Sequence, residues 1–490
     1  MATVNDLYTG GIGADLDSQD EILKEFYVAE IREQMNRGTT TYNLLQRHDR
    51  NISGRRIQLA MHVAGSQATH AVQAKGQIPE ARSQEYLNAT LGWKRVVHPI
   101  LIDSDLMAAS RDEDGAWMQA LESEIVHGVA DLKSRANNML LRDGSGRVGI
   151  VSAIGSAASG VITVKHPFDR ADNSSFAAAG GLPTDLTVGT YVGIVNASYN
   201  ASAGEAQFLH TASSGLIRHF KIIAANRSAG TITLSADGTN TVDLTGLEVA
   251  TNTAHGIAAG DYVVLYRGGK VADTSEYSTD DLFHKMTNYR TTSSSNANTG
   301  SKDIMGLFGL AAASDIFDHI DTGTAAVAPL QGVDADTYPI WQGNKLNSTS
   351  AGVTLTVDML DELGDTQEEV GQSEEWLFLT SRKDRRRYAR LIDDGIRYTD
   401  LKIGDGMFEA LVVHGRPILV DKDFPVTNWL ALDLSQIDIN MMEDLNWDDR
   451  DGHILTRLQK YLAYEARMVL RAELSTSRRN AISWLPNVTG

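Results

Sequence analysis

Between residues 51 and 141 three segments of opposite character follow one another, and few folds accommodate all three. Residues 54–91 are polar and rich in Gly and Gln, with no helical periodicity and few large apolar side chains. The next run, WKRVVHPILIDSDLM (93–107), is apolar, and 96–102 within it reads as a buried strand. Ser110 and Glu113 then form the S-x-x-E signature of a capping box, and about thirty residues pass without a proline. Trp117, Leu121, Ile125, Val129, Leu132, Ala136 and Leu140 recur at three- and four-residue spacing, which gives a long helix one apolar face. At 1.5 Å per residue such a helix is about 45 Å long, with Gly144 as its stop. An extended arm joined through a strand to a long rod suits a building block better than a catalyst.

Composition narrows the alternatives. A chain of 490 residues is too long for one core, so two to four domains are expected. Its 44 basic against 63 acidic side chains give a net charge of −19, which disfavours tight binding to nucleic acid and direct DNA recognition. With no cysteine there are no disulfides, zinc–thiolate sites, iron–sulfur clusters or cysteine nucleophile. No stretch reaches the eighteen or so consecutive apolar residues of a membrane span, and the first ten residues lack a signal-peptide layout. A soluble protein made in a cytoplasm is expected.

Along the chain, residues 1–17 are Gly-rich and read as an extended arm. Ser18 and Glu21 form a second capping box, opening a helix to about Asn36 with Gly38 as its stop; Ile22, Phe26 and Ile31 give it a modest apolar face. After the long helix the composition shifts. Residues 148–268 carry only 6 basic and 8 acidic side chains and no Trp or Met, against 22% charge in the whole chain. Strand-like runs at 148–154, 161–165, 190–196, 219–224, 231–235 and 261–266 are separated by turn residues, as at 226–230. This predicts an inserted small β-domain, a barrel or a sandwich, that folds on its own. Residues 270–350 are polar apart from an apolar patch at 304–313. A helix over 357–370, a buried strand over 376–379 and an arginine-loaded helix (Arg382, Arg385, Arg386, Arg387, Arg390) follow, then an acidic Gly turn at 393–395. The run 409–420 is read as two strands broken by a bend at Gly415, Arg416 and Pro417. Further strands are expected at 429–434, 437–442 and 482–485. Tyr461, Leu462, Tyr464, Met468, Val469 and Leu470 predict a last helix over 461–474. The fold class is α+β with an inserted β-domain.

Motifs for chemistry are sparse. Gly10, Gly11 and Gly13 neither follow a strand nor open a helix, so they are no phosphate loop. Residues 448–452 (DDRDG) miss the spacing of a calcium loop and read as a solvated turn. The histidines form no H-x-H or H-x-x-x-H pair, and no G-x-S-x-G elbow occurs. Asp358, Asp361 and Glu362 are explained by a solvated helix face, and the arginine helix by an ion-paired face at a subunit contact more readily than by phosphate. The sequence nominates no catalytic, cofactor-binding or metal-ligating residue; the chain is read as no enzyme, with no cofactor.

The order of these segments resembles a known family. The polar arm, the extended loop, VVHPILIDSDLM, the capped helix ending in LLRDG, LVVHGRPILVDKDFP and LALDLSQIDINMMEDLNW together look like the major capsid protein of tailed bacteriophages, the Hong Kong ninety-seven type fold. Ser104 in the strand before the long helix, the Gly415–Pro417 bend and Asp433 carry the likeness, which covers roughly 20–145 and 300–486. The resemblance implies an N-terminal arm at 1–50 and an extended loop at 51–98 that lies over a neighbouring subunit. It implies a peripheral domain with a long spine helix at 99–147 and 453–490, and an axial domain with its connecting segments at 269–452. Residues 148–268 depart from the family's minimal plan as an inserted β-domain. The arm's start near Met1 suggests a separate scaffolding protein or none. Some members of that family join a loop lysine to a neighbour's asparagine; Lys75, at the middle of the loop, is the candidate here, but no partner asparagine is identifiable and no crosslink is assigned.

What the resemblance implies for function is a structural subunit that self-assembles into pentamers and hexamers, forming the icosahedral head shell of a tailed, double-stranded DNA bacteriophage. Its partners would be itself, a separate scaffolding protein and a portal, with a decoration protein optional. DNA would be enclosed without sequence-specific binding, no membrane is involved, and the place of action is the virion, assembled in the host cytoplasm. Rival readings are an encapsulin-like nanocompartment shell enclosing cargo protein and, from the β-rich span, an adhesin or tail fibre.

Overall fold

The computed structural model describes residues 38–49, 56–66, 68–74, 76, 80, 83–105, 116–156, 159–168, 182–195, 210–211, 219–236, 239–244, 247–249, 253–254, 257–266, 303–311, 330–333, 335, 337–346, 352–392, 411–448, 454–458 and 462–489. The helix expected over 18–36, the Ser110/Glu113 box, Lys75 and the turn at 393–395 lie outside them.

The centre of one sheet is the strand Ala463–Thr476, where a helix is expected. Its residues include many good helix formers, but Ala466, Met468, Leu470, Ala472 and Leu474 also alternate with period two, and all five are buried. Pairing decides between the two patterns. One edge runs antiparallel to Lys94–Asp103, from Ala463↔Asp103 to Ala472↔Lys94. The other edge pairs with Ile437–Trp447 and, near its start, with Thr456–Arg457. Gln46–Asp49 then adds in parallel outside Ile437–Trp447. Backbone hydrogen bonds on both sides outweigh the intrinsic helix preference, which is worth only about 0.7 kcal/mol per ordinary residue at most.

The long helix spans Ala116–Leu140 and lies on this sheet, about 37 Å long. Val129 packs toward Ile100, Ile102, Ala466 and Met468, while Leu132, Ala136, Met139 and Leu140 enter the main core. The chain leaves the helix through Gly144, whose φ of +72° suits glycine at a helix end.

A second sheet has the order Asn344–Lys345, Ile482–Leu485, Trp429–Leu432, Leu377–Thr380, Arg416–Val420, Val412–Val413. Period-two alternation divides its side chains between two cores. Phe378, Ile418, Trp429 and Leu485 face the helices Val357–Glu369 and Arg382–Leu391, which contribute Leu360, Leu363 and Tyr388. Leu379, Leu430, Leu432 and Trp484 face the main core. Thr356 and Ser381 cap the two helices by accepting from the N–H groups of Met359 and Asp384. The bend expected at Gly415–Pro417 sits one residue earlier. His414 (φ +49°) and Gly415 (φ +75°) form the two-residue turn, and Arg416 and Pro417 already pair with Val413 and Val412. Positive φ at both turn residues matches the right-handed twist of the strands, which a bend centred on proline could not supply.

Between Arg147 and Leu265 six strands close into an antiparallel barrel, in the order 231–235, 161–165, 147–156, 262–265, 191–195, 220–226. Val148, Ile162, Ile194, Phe220, Ile232 and Val263 are fully buried inside it. The turn after Phe220–Asn226 is held by the Asn226 side chain, which accepts from the N–H of Ser228 and of Ala229. The barrel is docked rather than tethered: Val195, Tyr262, Val264 and Tyr266 belong to the main core.

Candidate assembly surfaces

The polar loop between residues 54 and 91 contains a two-stranded antiparallel hairpin, Arg56–Ala64 with Glu85–Gly92, in the register Leu59↔Ala89 and Met61↔Leu87. Its two faces differ. The outer face is polar and aromatic: Tyr86 is 65% exposed, its ring 5.2 Å from that of His62, and His62 Nε2 lies 2.7 Å from Gln84 Oε1. The inner face carries Leu59, Met61, Leu87 and Ala89 onto the chain's own main core. The scarcity of large apolar side chains in residues 54–91 does not keep the loop off its own subunit. Met61, Ala89 and Leu91 are buried because Ile57, Leu59 and Met61 alternate along one strand, and their partners across the hairpin share the face. Beyond Ala64 and Glu85 the described residues are mostly exposed, including Val72 at 47%.

Under the hairpin lies a cleft of roughly 580 Å³, lined on one side by Leu59–Val63 and on the other by Trp341, Asp438, Asn440, Ser475 and Arg479 among others. Arg479 is fully buried at its floor and donates to the carbonyl oxygens of Leu310 (3.0 Å) and Trp341 (3.3 Å). The guanidinium thus ties together two segments some thirty residues apart in the chain.

A buried polar hub joins the segments that carry these surfaces. Asn137 and Asn138 sit near the end of the long helix. The Asn137 side chain accepts from Tyr42 N–H (2.9 Å) and donates to Asp421 (3.2 Å), which also accepts from the N–H and hydroxyl of Thr41. Asn138 donates to Asp185 (2.9 Å), and Thr184 donates to Asp423 (2.7 Å). Arg135 and Arg142 both pair with Asp185, while Arg147 pairs with Asp143 at 2.8 Å and lies over the Tyr262 ring. Burial alone would raise the Asp185 carboxyl, but the two guanidiniums hold it well below the usual range. Burial and the nearby Arg142 push His166 down to about 3, so this ring is neutral. Burial raises Asp423, only partly offset by Thr184. A charged cluster of this kind is costly to break once buried, and it joins the spine, the segment around Asp185 and the loop after Arg416–Val420.

Among the described residues no group of three or more His, Asp or Glu side chains is placed to hold a metal ion. No described helix is long and apolar enough to cross a membrane. Asp433 accepts from Ser435 N–H (2.9 Å) and hydroxyl (2.6 Å), capping a short turn, and Ser104 N–H donates to Leu462 O (2.8 Å), extending the sheet. Ser104 is thus held by a backbone hydrogen bond, and Asp433 acts through its side chain. The hub went unnoticed in the sequence, although two adjacent asparagines beside Ala136 and Leu140 on an apolar stripe are the kind of signal that could have found it.

No protein-family description and no curated protein sequence matches the chain. Among solved structures it is similar to a chain of the cyanophage A-1(L) capsid asymmetric unit. The likeness covers 96% of this chain and 98% of that one, at a TM-score of 0.50 and 12% identity. It is also similar to the capsid of an empty GTA particle, over 95% and 96% of the two chains at a TM-score of 0.44 and 9% identity. The holo-SrpI encapsulin complex from Synechococcus elongatus matches over 30% of this chain and 52% of that one, at a TM-score of 0.24 and 15% identity. The first likeness, at 12% identity, is one of fold. The chain has the α+β phage-capsid fold that its order of segments implies.

Proposed function

We propose that this chain, having the fold of a phage capsid subunit, is the building block of the icosahedral head shell of a tailed, double-stranded DNA phage. It forms pentamers and hexamers of itself. The observation that carries this reading is the fold likeness over 96% of the chain. The hairpin supports it: a base anchored in the chain's own core and a polar, exposed distal half suit an arm that reaches onto a neighbour. The buried hub suits the same role, because a subunit that bears load through its arm needs spine, barrel and sheet held rigidly together. The net charge of −19 suits a container whose wall releases packaged DNA without adhering to it. A scaffolding protein, a portal and a decoration protein are the partners such a shell takes, and assembly in the host cytoplasm goes with the same reading.

The test is assembly of the full chain, with and without a scaffolding partner, followed by sedimentation and electron microscopy. Closed shells are expected. In a variant with residues 66–83 replaced by a short Gly-Ser turn, Met61, Ala89 and Leu91 stay in place, so the subunit keeps its melting temperature while shells are lost. Only small discrete oligomers from the full chain, across a range of salt, would refute the reading. Normal, equally stable shells from the shortened chain would show that the arm is no clamp.

A further inference from the structure

The two helices on the outer face of the six-stranded sheet carry charges of opposite sign. On Val357–Glu369, Asp358, Glu362, Asp365 and Glu369 fall at spacings of four, three and four. They form one stripe diametrically opposite Leu360, Leu363 and Gln367, which are buried. All four are exposed, and among the described residues none of their carboxylates meets a cation. On Arg382–Leu391, Asp384 and Tyr388 point inward, and Arg382, Arg385, Arg386 and Arg390 point outward and are exposed.

Arg387 shows what a guanidinium on this helix does when a partner is in reach. It donates to Asp384 at 2.6 Å and to Val488 O at 3.0 Å. Its four neighbours have no such partner among the described residues. In a chain of net charge −19, four unpaired arginines on one helix stand out from a surface that is otherwise acidic. Both helices pack on the same face of one sheet and turn their stripes away from it, so neither stripe is placed to neutralise the other. A charge partner for either stripe, beyond solvent, would have to come from another molecule.

We infer that this molecule is a second copy of the same chain, the arginine stripe of one subunit docking on the acidic stripe of the next. Charge complementarity carries the assignment: each copy supplies both halves, four acidic residues on one helix and four arginines on the other. This rests on the assembly reading above and names a contact within it. Duplex DNA would also take the arginine stripe, but it leaves the acidic one unmatched.

Two variants and their combination test it: Arg385→Glu, Arg386→Glu and Arg390→Glu together; Glu362→Lys, Asp365→Lys and Glu369→Lys together; and all six. Since the side chains are exposed, all three should fold with the wild-type melting temperature. Each triple variant should lose shells and the sixfold variant regain them. Mixed in solution, the two triple variants should associate when neither does alone. That association should disappear in about 1 M salt, where the screening length falls to about 3 Å. Full shell yield from either folded triple variant overturns the contact, as does a sixfold variant that fails to recover. Unchanged shells with weakened duplex binding overturn it in favour of DNA. If the wild type forms no shells, the assembly reading falls, and association of the mixed triple variants still decides whether the stripes pair.

Discussion

Replacing Glu473 by glutamine removes one carboxylate from the central strand Ala463–Thr476 without changing its shape. Burial is the larger influence on this group and pushes it up from 4.5 to about 7, only partly opposed by Lys94 and by the N–H groups of Met305 (2.8 Å) and Leu474 (3.3 Å). A folded-state value above the unfolded one means that the folded chain holds a proton the unfolded chain has already released. The stability it carries is therefore complete below pH 4.5 and is lost as pH rises to about 7. At 1.36 kcal/mol per unit of pKa, that interval corresponds to about 3 kcal/mol. Glutamine is neutral throughout and escapes the loss. Urea unfolding of unassembled subunits at fixed ionic strength, followed by circular dichroism from pH 4.5 to 8.5, should show Glu473→Gln gaining on wild type up to pH 7 and level above it. His166 and His219, also buried, titrate in both proteins and cancel in the difference. A variant that falls further behind wild type as pH rises would mean that Lys94 stabilises the charged form more than burial opposes it. That result would refute the reasoning.

Two further outcomes follow from packing. At Gly306 a Cβ would sit within 2.6 Å of both Met139 O and Arg142 N, backbone atoms at the end of the spine helix that cannot step aside. Gly306→Ala should cost about 3 kcal/mol in the same unfolding assay, whereas Gly92→Ala, where a Cβ meets nothing within 4 Å, should be neutral; equal behaviour of the two would refute the close approach. Residues 147–266 expressed alone should unfold cooperatively with a β-type spectrum, because the barrel closes on its own core; they should also bind a hydrophobic dye through Tyr262, Val264 and Tyr266, which pack on the rest of the chain. A random-coil spectrum would refute the independent barrel.

What the sequence by itself determined is what a few neighbouring residues can encode. Thr356 and Ser381 cap their helices because a side-chain oxygen reaches an N–H two or three positions on, and Asn226 organises its turn over the same short reach. The barrel strands form where β-branched runs alternate between turn residues, and the order of segments was enough to suggest the capsid fold. Tertiary structure decided the rest. Ala463–Thr476 reads locally as a helix and becomes a strand because Lys94–Asp103 and Ile437–Trp447, far away in the chain, offer it hydrogen bonds on both edges. The inner face of the hairpin is buried because a core built from other segments lies beneath it. Asn137 and Asp421, 284 residues apart, form a hub only once the folded chain has placed them side by side in a dry interior. Local capping and turn energies act over about four residues, whereas strand pairing and buried polar contacts exist only after distant segments have met.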